Sequence, residues 1–396
     1  MEPLKPRNEG ELVEAVKDAI GTGSPLEIVG TATKRGLGRP MQTARTLDMS
    51  GFAGISLYEP EELVITLGAG TKRAEVEAAL AARGQMLAFE PPDFSRLLGS
   101  VHAGTIGGML AANLSGPRRI KAGAVRDHVL GIHGVSGRGE AFKAGGRVVK
   151  NVTGYDLPKL MAGCFGTLAA LTSLSFKVLP APESEETLCF ERLDDEAAVR
   201  LMSLAMQSSA EVSGAAHIPC DLGGLLGFEC AATLLRLEGV PPSIAVRRDT
   251  LVSLAGAIAP PAIIEGPASR KTWAALRDVH PLCDGNRAVW KISVPPSDGA
   301  AVMTKIKRSA DARGYYDWAG GLVWLDVPLT DNAGERIIRS ALRNGHATLI
   351  RAPDDIRAHA DVFSPPEKAL AALTERVKAA FDPKRVLNPG RMYRGV

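Results

Sequence analysis

The chain has 396 residues, 45% of them hydrophobic and 23% charged, enough apolar material for two or three packed domains and too much for a disordered polymer. Lys and Arg number 47 against 44 Asp and Glu, a formal charge of +3 that argues against a nucleic-acid or membrane-surface binder. Five dispersed cysteines, Cys164, Cys189, Cys220, Cys230 and Cys283, form no C-x-x-C pair, so neither a metal cluster nor a disulfide framework is signalled and a reducing cytoplasm suits them.

The first 17 residues carry Glu2, Glu9, Glu11 and Glu14 with no apolar core before a cleavage site, so they are not read as a secretory signal. Apolar spacing predicts a helix over 9–20 and a short buried strand over 26–29, which stops at the loop 30–36. A strand over 63–67, a glycine turn at 68–71 and a helix over 73–83 follow. From 99 to 170 the chain turns rich in glycine and alanine, with strand-like runs at 129–135 and 168–178. The prolines at 180 and 182 and the acidic run 183–196 read as a solvated connector that ends a first domain near residue 180. Beyond it, helical patterns at 197–206, 244–258, 300–313 and 331–343 alternate with strand-like pieces at 225–230, 288–294, 321–327 and 347–351, a second α+β domain. An amphipathic helix over 366–380 leads into a turn-rich tail that must dock elsewhere. No stretch approaches about 18 apolar residues, so no spanning helix is expected.

Two segments suit an anionic ligand. The loop Gly30-Thr31-Ala32-Thr33-Lys34-Arg35-Gly36 leaves a buried strand with small residues, two hydroxyls and two cations. Exposed amides in such a turn make a concavity for phosphate oxygens, although a plain polar turn has the same composition. The stretch Gly104-Thr105-Ile106-Gly107-Gly108 through Ala111, Ala112, Asn113, Ser115 and Gly116 is entered by Glu90-Pro91-Pro92-Asp93. Gly107 and Gly108 let backbone approach a ligand, and Ala111 and Ala112 are small enough for a helix to start against it, a fit for a diphosphate. Residues 117–150 hold eight cations, Arg118, Arg119, Lys121, Arg126, Arg138, Lys143, Arg147 and Lys150, against Asp127 and Glu140. That excess draws a cofactor anion or simply forms a solvated face. The dinucleotide-like Gly68-Ala69-Gly70-Thr71-Lys72-Arg73 lacks its third glycine, and no G-x-x-x-x-G-K-[ST], H-E-x-x-H or G-x-S-x-G is present.

Lys150-Asn151-Val152-Thr153-Gly154-Tyr155-Asp156-Leu157-Pro158-Lys159-Leu160 is followed by Gly163-Cys164-Phe165-Gly166-Thr167-Leu168. The N-V-T-G-Y-D-L-x-K-L string, G-x-x-G-T-L, T-I-G-G-x-x-A-x-N upstream and L-N-P-G near the end resemble the FAD-linked 2-hydroxyacid oxidases. These belong to the vanillyl-alcohol oxidase/p-cresol methylhydroxylase (PCMH-type) flavoproteins. Short length and sparse catalytic markers make the chain most similar to the FAD-binding subunits of bacterial glycolate oxidases.

The resemblance implies an α+β fold: a two-subdomain PCMH-type FAD-binding domain over 1–180 (subdomains about 1–50 and 51–180), an α+β cap over 181–365, and a C-terminal helix and tail, 366–396, returning to the first domain. The implied cofactor residues are Val29, Gly30, Thr31, Ala32, Thr33, Lys34 and Arg35 in the loop. Pro91, Gly104, Thr105, Ile106, Gly107, Gly108, Ala111, Asn113, Ser115 and Gly116 follow, then Gly163, Gly166, Thr167 and Leu168 along the flavin, and Asn388 in the tail. Two departures stand out: T-A-T-K where many relatives are glycine-rich, and Cys164-Phe165 in place of a Ser-Glu pair. The first loop has no histidine, so FAD is expected to be noncovalent; His102 and Cys164 are the alternative linkage residues.

A flavin oxidase of 2-hydroxyacids needs a base near the substrate carbon and cations for its carboxylate. His217, His280, His346 and His359 show no metal-like spacing, so no metal site and no catalytic base are assigned. The implied role is therefore an FAD-binding subunit of a glycolate oxidase complex, supporting oxidation of glycolate to glyoxylate beside a sister FAD-linked oxidase subunit and an iron–sulfur subunit. It is expected to be cytoplasmic, meeting the inner membrane only through partners. A stand-alone FAD-linked hydroxyacid or alcohol oxidoreductase and a flavin-free scaffold remain the alternatives.

Overall fold

The computed structural model describes residues 2–147, 155–256, 258 and 260–395. The motif residues Lys150, Asn151, Val152, Thr153 and Gly154 lie outside them. The first helix, Glu9–Thr22, starts where its sequence says it should: Asn8 Oδ1 accepts from the Glu11 N–H at 2.9 Å, while Glu11 Oε2 accepts from the Arg7 N–H at 2.8 Å. Gly23 ends it in the left-handed region, φ 63°. Its apolar face, Leu12, Val16 and Ala19, packs on a small parallel sheet of Leu26–Val29 and Arg45–Asp48. Leu4 bridges to Leu47 and Leu387 bridges to Leu26, both parallel, so the two ends of the chain flank this pair. The tail returns to the N-terminal unit, as the resemblance implies.

A five-stranded antiparallel sheet follows, ordered Ile55–Glu59, Val64–Gly68, Ala169–Lys177, Val129–Ser136 and Ala141–Gly145. Ala169–Lys177 is buried on both faces, and its apolar residues, broken only by small hydroxyl side chains before Lys177, let the sequence locate it.

The remaining large element is an eight-stranded antiparallel sheet. Its order is Ala262–Glu265, Ser184–Glu191, Ala232–Gly239, Gly214–Ile218, Arg313–Asp317, Leu322–Pro328, Arg287–Ser293 and His346–Arg351. The helices Asp195–Gln207 and Gly299–Lys307 cover one face through Leu235, Leu237, Trp290, Val323 and Leu325. The alternate residues Leu234, Val289 and Trp324 join Phe94, Met109 and Leu114 in the core shared with the N-terminal part.

Two sequence expectations are corrected here. The acidic run is not a solvated connector: Ser184–Glu191 is an interior strand, with Leu188, Cys189 and Phe190 buried and Glu185 accepting a hydrogen bond from Ser269 Oγ at 2.6 Å. Its glutamates disguise an alternating pattern because partners on neighbouring elements neutralise or bond them. The strand expected at 225–230 is instead helix and turn, Cys220–Gly223 and Gly224–Leu226, and the strand lies at Ala232–Gly239. Gly223, Gly224 and Gly227 favour the turn, with Gly227 at φ 85°.

The two large parts are locked by exchanged ion pairs. Arg236 of the eight-stranded sheet donates to both oxygens of Glu90 at 2.9 and 3.0 Å, while Arg118 donates to both oxygens of Glu238 at 3.0 and 2.7 Å. Burial by itself would raise the Glu90 pKa; Arg236 and then Arg118 outweigh it and hold the carboxyl at about 2.

Candidate functional site

A cleft of about 870 Å³, its mouth included, opens between the small parallel sheet and the five-stranded sheet. Residues 29–35 form one wall. Thr105, Gly107, Gly108, Ala111 and Ala112 form the second, and Cys164, Phe165, Gly166, Ala169 and Leu171 the third. Asn388 and Arg391 of the tail close it.

The loop 30–35 owes its shape to small residues. Ala32 sits at φ 55°, and a Cβ on Gly30 would lie 2.4 Å from Thr105 Oγ1, so only glycine lets the loop meet the second wall. None of the described hydrogen bonds uses the N–H groups of Thr31, Ala32, Thr33 or Lys34. Thr31 Oγ1 is buried and has no hydrogen-bond partner among the described residues. Native proteins rarely leave such groups unsatisfied, so the cleft holds hydrogen-bond capacity that the chain itself does not use.

The cations follow the same pattern. Lys34 Nζ donates to the Ala103 carbonyl at 3.0 Å and has no carboxylate partner among the described residues. Burial, then the neighbouring Arg73, pull its pKa down to about 8. Arg391 is 9% exposed, and its guanidinium donates to the Lys34 carbonyl at 2.7 Å. Arg35 pairs bidentately with Glu27 at 2.8 and 2.6 Å. A half-buried and a buried cation, neither with a carboxylate partner among the described residues, favour an anion, because burial makes an unpaired charge costly.

Thr105 caps the helix Ile106–Ala111, its Oγ1 accepting from the Gly108 N–H at 3.4 Å. The helix therefore begins at Ile106; Ala111 and Ala112 stand at its end, not at a helix start as their size suggested. Asn388, at φ 42°, ties the tail in place: Oδ1 accepts from Ile28 N–H at 2.8 Å and Nδ2 donates to the Phe165 carbonyl at 2.7 Å. Beneath it Lys378 and Asp382 pair at 2.8 Å, both essentially inaccessible, and Lys378 also donates to the Thr167 and Leu387 carbonyls.

The expected cofactor residues thus divide. Val29, Gly30, Thr31, Ala32, Thr33, Lys34, Arg35, Thr105, Gly107, Gly108, Ala111, Gly166 and Asn388 line one cleft. The others back it or lie away from it. The Pro91 carbonyl accepts from Arg73, Ser115 Oγ accepts from Val125 N–H, and the Gly116 carbonyl accepts from Trp318 Nε1. Gly104 approaches Lys34 so closely that a Cβ would stand 2.4 Å from Nζ, Gly163 abuts Asn113, Ile106 is core, and Thr167 Oγ1 donates to the Cys164 carbonyl. Leu168 is buried in the core.

None of the described basic residues after Pro117 in that segment lines the cleft. Arg118 serves the ion-pair lock, Lys121 pairs with Glu211 at 3.0 Å, Arg138 donates to the Ala380 carbonyl, and Arg119 lies over Trp318. Arg391 was the main omission; its signal was its place directly after the L-N-P-G turn. Cys164 lines the cleft, and burial raises its thiol pKa. His102 is exposed and absent from the lining.

Comparison with known proteins agrees with this geometry. Residues 4–145 match the FAD binding domain family, and 366–392 match the FAD linked oxidases C-terminal domain. The chain is 37% identical over 385 residues to glycolate oxidase subunit GlcE of Escherichia coli, covering 96% of each, and 25% identical to glycolate oxidase subunit GlcD of Bacillus subtilis, covering 98% of this chain and 88% of the relative. Among solved structures, p-cresol methylhydroxylase superposes with a TM-score of 0.75 at 14% identity, covering 99% of this chain and 88% of that one. Full-length similarity at this level makes the chain a member of the GlcE family of glycolate oxidase subunits, FAD-dependent oxidoreductases, and its fold is of the PCMH type.

Proposed function

We propose that this chain is the FAD-binding subunit of a glycolate-oxidising complex. In that complex glycolate is converted to glyoxylate, and electrons leave through flavin to an iron–sulfur partner beside a sister FAD-linked oxidase subunit. The observation that carries the reading is the cleft's unused capacity among the described residues: four backbone amides with no acceptor, the Thr31 hydroxyl with no partner, and Lys34 and Arg391 with no carboxylate. A diphosphate would satisfy all of them at once. Thr31 to Arg35 would hold it from one side, with Thr105, Gly107 and Gly108 from the other. The Gly163 to Leu168 turn would lie along the flavin, and Asn388 would fix the tail that carries Arg391. Bound FAD supplies a two-electron acceptor.

Noncovalent attachment is supported by the exposed position of His102 outside the cleft and by the raised thiol of Cys164, which keeps it a poor nucleophile. A division into 1–180, 181–365 and 366–396 is supported by the sheets, since strands up to Leu179–Pro180 and from Ser184–Glu191 onward join different ones. No helix of the described residues is long and apolar enough to cross a membrane; the reading places the subunit in the cytoplasm, touching the inner membrane through partners.

Co-expression with the sister and iron–sulfur subunits tests the proposal. The complex should carry FAD on this chain and reduce dye with glycolate, and this chain alone should bind FAD without robust turnover of glycolate or D-lactate. Rapid turnover by the isolated chain would contradict the subunit role.

A further inference from the structure

A second constellation lies on the inner face of the eight-stranded sheet, across the interface from the cofactor cleft's helix. Lys291 stands opposite Trp324 on one neighbouring strand and Thr348 on the other, so the three side chains share the face turned toward the FAD-binding part. Lys291 Nζ lies 5.1 Å from the Trp318 ring centroid and 6.0 Å from that of Trp324. Arg119, from the other side of the interface, places its guanidinium carbon 4.2 Å from the same Trp318 ring. Neither cation has a carboxylate within ion-pair reach among the described residues. Asp317 does not fill that role: its Oδ1 accepts from the Trp318 N–H at 2.7 Å, and burial pushes its pKa up to about 7. His346 lies two residues from Thr348 along its strand, hence on the same face, exposed at the rim.

The backbone that aims Trp318 is strained. Trp318 and Ala319 lie at φ 50° and 56°, and Gly320 at φ 96°. Consecutive left-handed residues, one of them tryptophan, persist only where the surroundings over-determine them, and such turns cluster at ligand sites. The indole also donates to the Gly116 carbonyl at 3.0 Å. Gly116 ends the segment whose beginning, Thr105 to Gly108, lines the cofactor cleft. The two sites are thus flanked by one stretch of chain.

We propose that Lys291 and Arg119, spaced by the Trp318 turn, bind a small carboxylate. An indole face stabilises a neighbouring cation but leaves its charge uncompensated, whereas a carboxylate accepts from an ammonium and a guanidinium together. Placement between the two parts of the molecule suits an organic acid presented to a flavin. The identity of that acid as a 2-hydroxyacid rests on the proposed function; the site itself rests on the residues.

The test is calorimetric titration of the FAD-loaded chain with oxalate, an unreactive dicarboxylate, and with ethylene glycol and inorganic phosphate as controls. Oxalate should bind once per chain and ethylene glycol should not bind. Lys291→Met and Arg119→Met should each weaken oxalate by roughly tenfold to a hundredfold, Lys291→Arg should restore most of the affinity, and Lys121→Met should change nothing. The flavin absorbance of each variant reports that it is folded and loaded. Absence of oxalate binding by the parent, undiminished binding by Lys291→Met, or phosphate bound more tightly than oxalate would each overturn the proposal. A complex that fails to oxidise glycolate while oxalate still binds through Lys291 would sink the functional reading and leave this site standing.

Discussion

Two charged regions of this molecule solve the same problem in opposite ways. At the seam between the two large parts, Arg236 is buried, the side chains of Glu90, Arg118 and Glu238 are no more than 12% exposed, and every charge meets its opposite within hydrogen-bond distance. In the cleft, Lys34 is half-buried and Arg391 buried, yet each donates to a backbone carbonyl, neither meets a carboxylate among the described residues, and the nearby Thr31 hydroxyl has no partner there. Satisfied charge marks a structural joint, and unsatisfied charge marks a place prepared for a ligand. Composition does not separate the two; partners do.

The sharpest way to break this contrast is to remove one seam charge. Arg236→Ala leaves Glu90 buried without its bidentate partner and should cost about 3–5 kcal/mol in chemical denaturation. A loss below about 1 kcal/mol, the range of exposed pairs, would mean the seam is not a joint. Next in size, Gly30→Ala drives a Cβ to 2.4 Å from Thr105 Oγ1 and should destabilise by about 1–3 kcal/mol while closing the cleft to FAD.

In the cleft the expectation reverses. Lys34→Met should weaken FAD binding by roughly tenfold to a hundredfold, measured by fluorescence of released flavin, with folding stability of the apoprotein unchanged or improved. Charge should matter through pH as well. Because the folded pKa of Lys34 is depressed to about 8 from its ordinary value near 10.5, the ammonium is disfavoured in the empty cleft below pH 8. Apoprotein stability should therefore rise as pH climbs from about 8 toward 10 and that penalty lifts. FAD affinity should fall over the same window as the ammonium is lost, and Lys34→Met should abolish both trends. The smallest effect is expected from Asn388→Ala, which removes two hydrogen bonds but leaves the Lys378–Asp382 anchor: about 1–2 kcal/mol, with a modest loss of FAD affinity.

Elements whose pattern is local were legible in the sequence. The helix Glu9–Thr22, the strands Leu26–Val29 and Ala169–Lys177, and the helix Lys368–Phe381 fall where periodicity and caps predict them. The strand Ser184–Glu191 escaped because Glu185 and Glu186 look solvent-seeking until Ser269 and Arg248 are brought beside them from more than 60 positions away. The same distance in sequence hid Arg391, which reaches Lys34 across 357 positions.

By itself the sequence determined the glycines and the loop chemistry. Gly30, Gly107 and Gly108, with Thr31 and Lys34 between them in function, mark an anion cradle because backbone approach needs missing side chains wherever it occurs. Only the tertiary structure decided which cations serve it. Eight basic residues crowd 117–150, and none of those described reaches the cleft, while the tail delivers one arginine that does. Local steric needs are written residue by residue; charge compensation depends on which distant groups the fold brings together, and so it becomes readable only once the chain has packed.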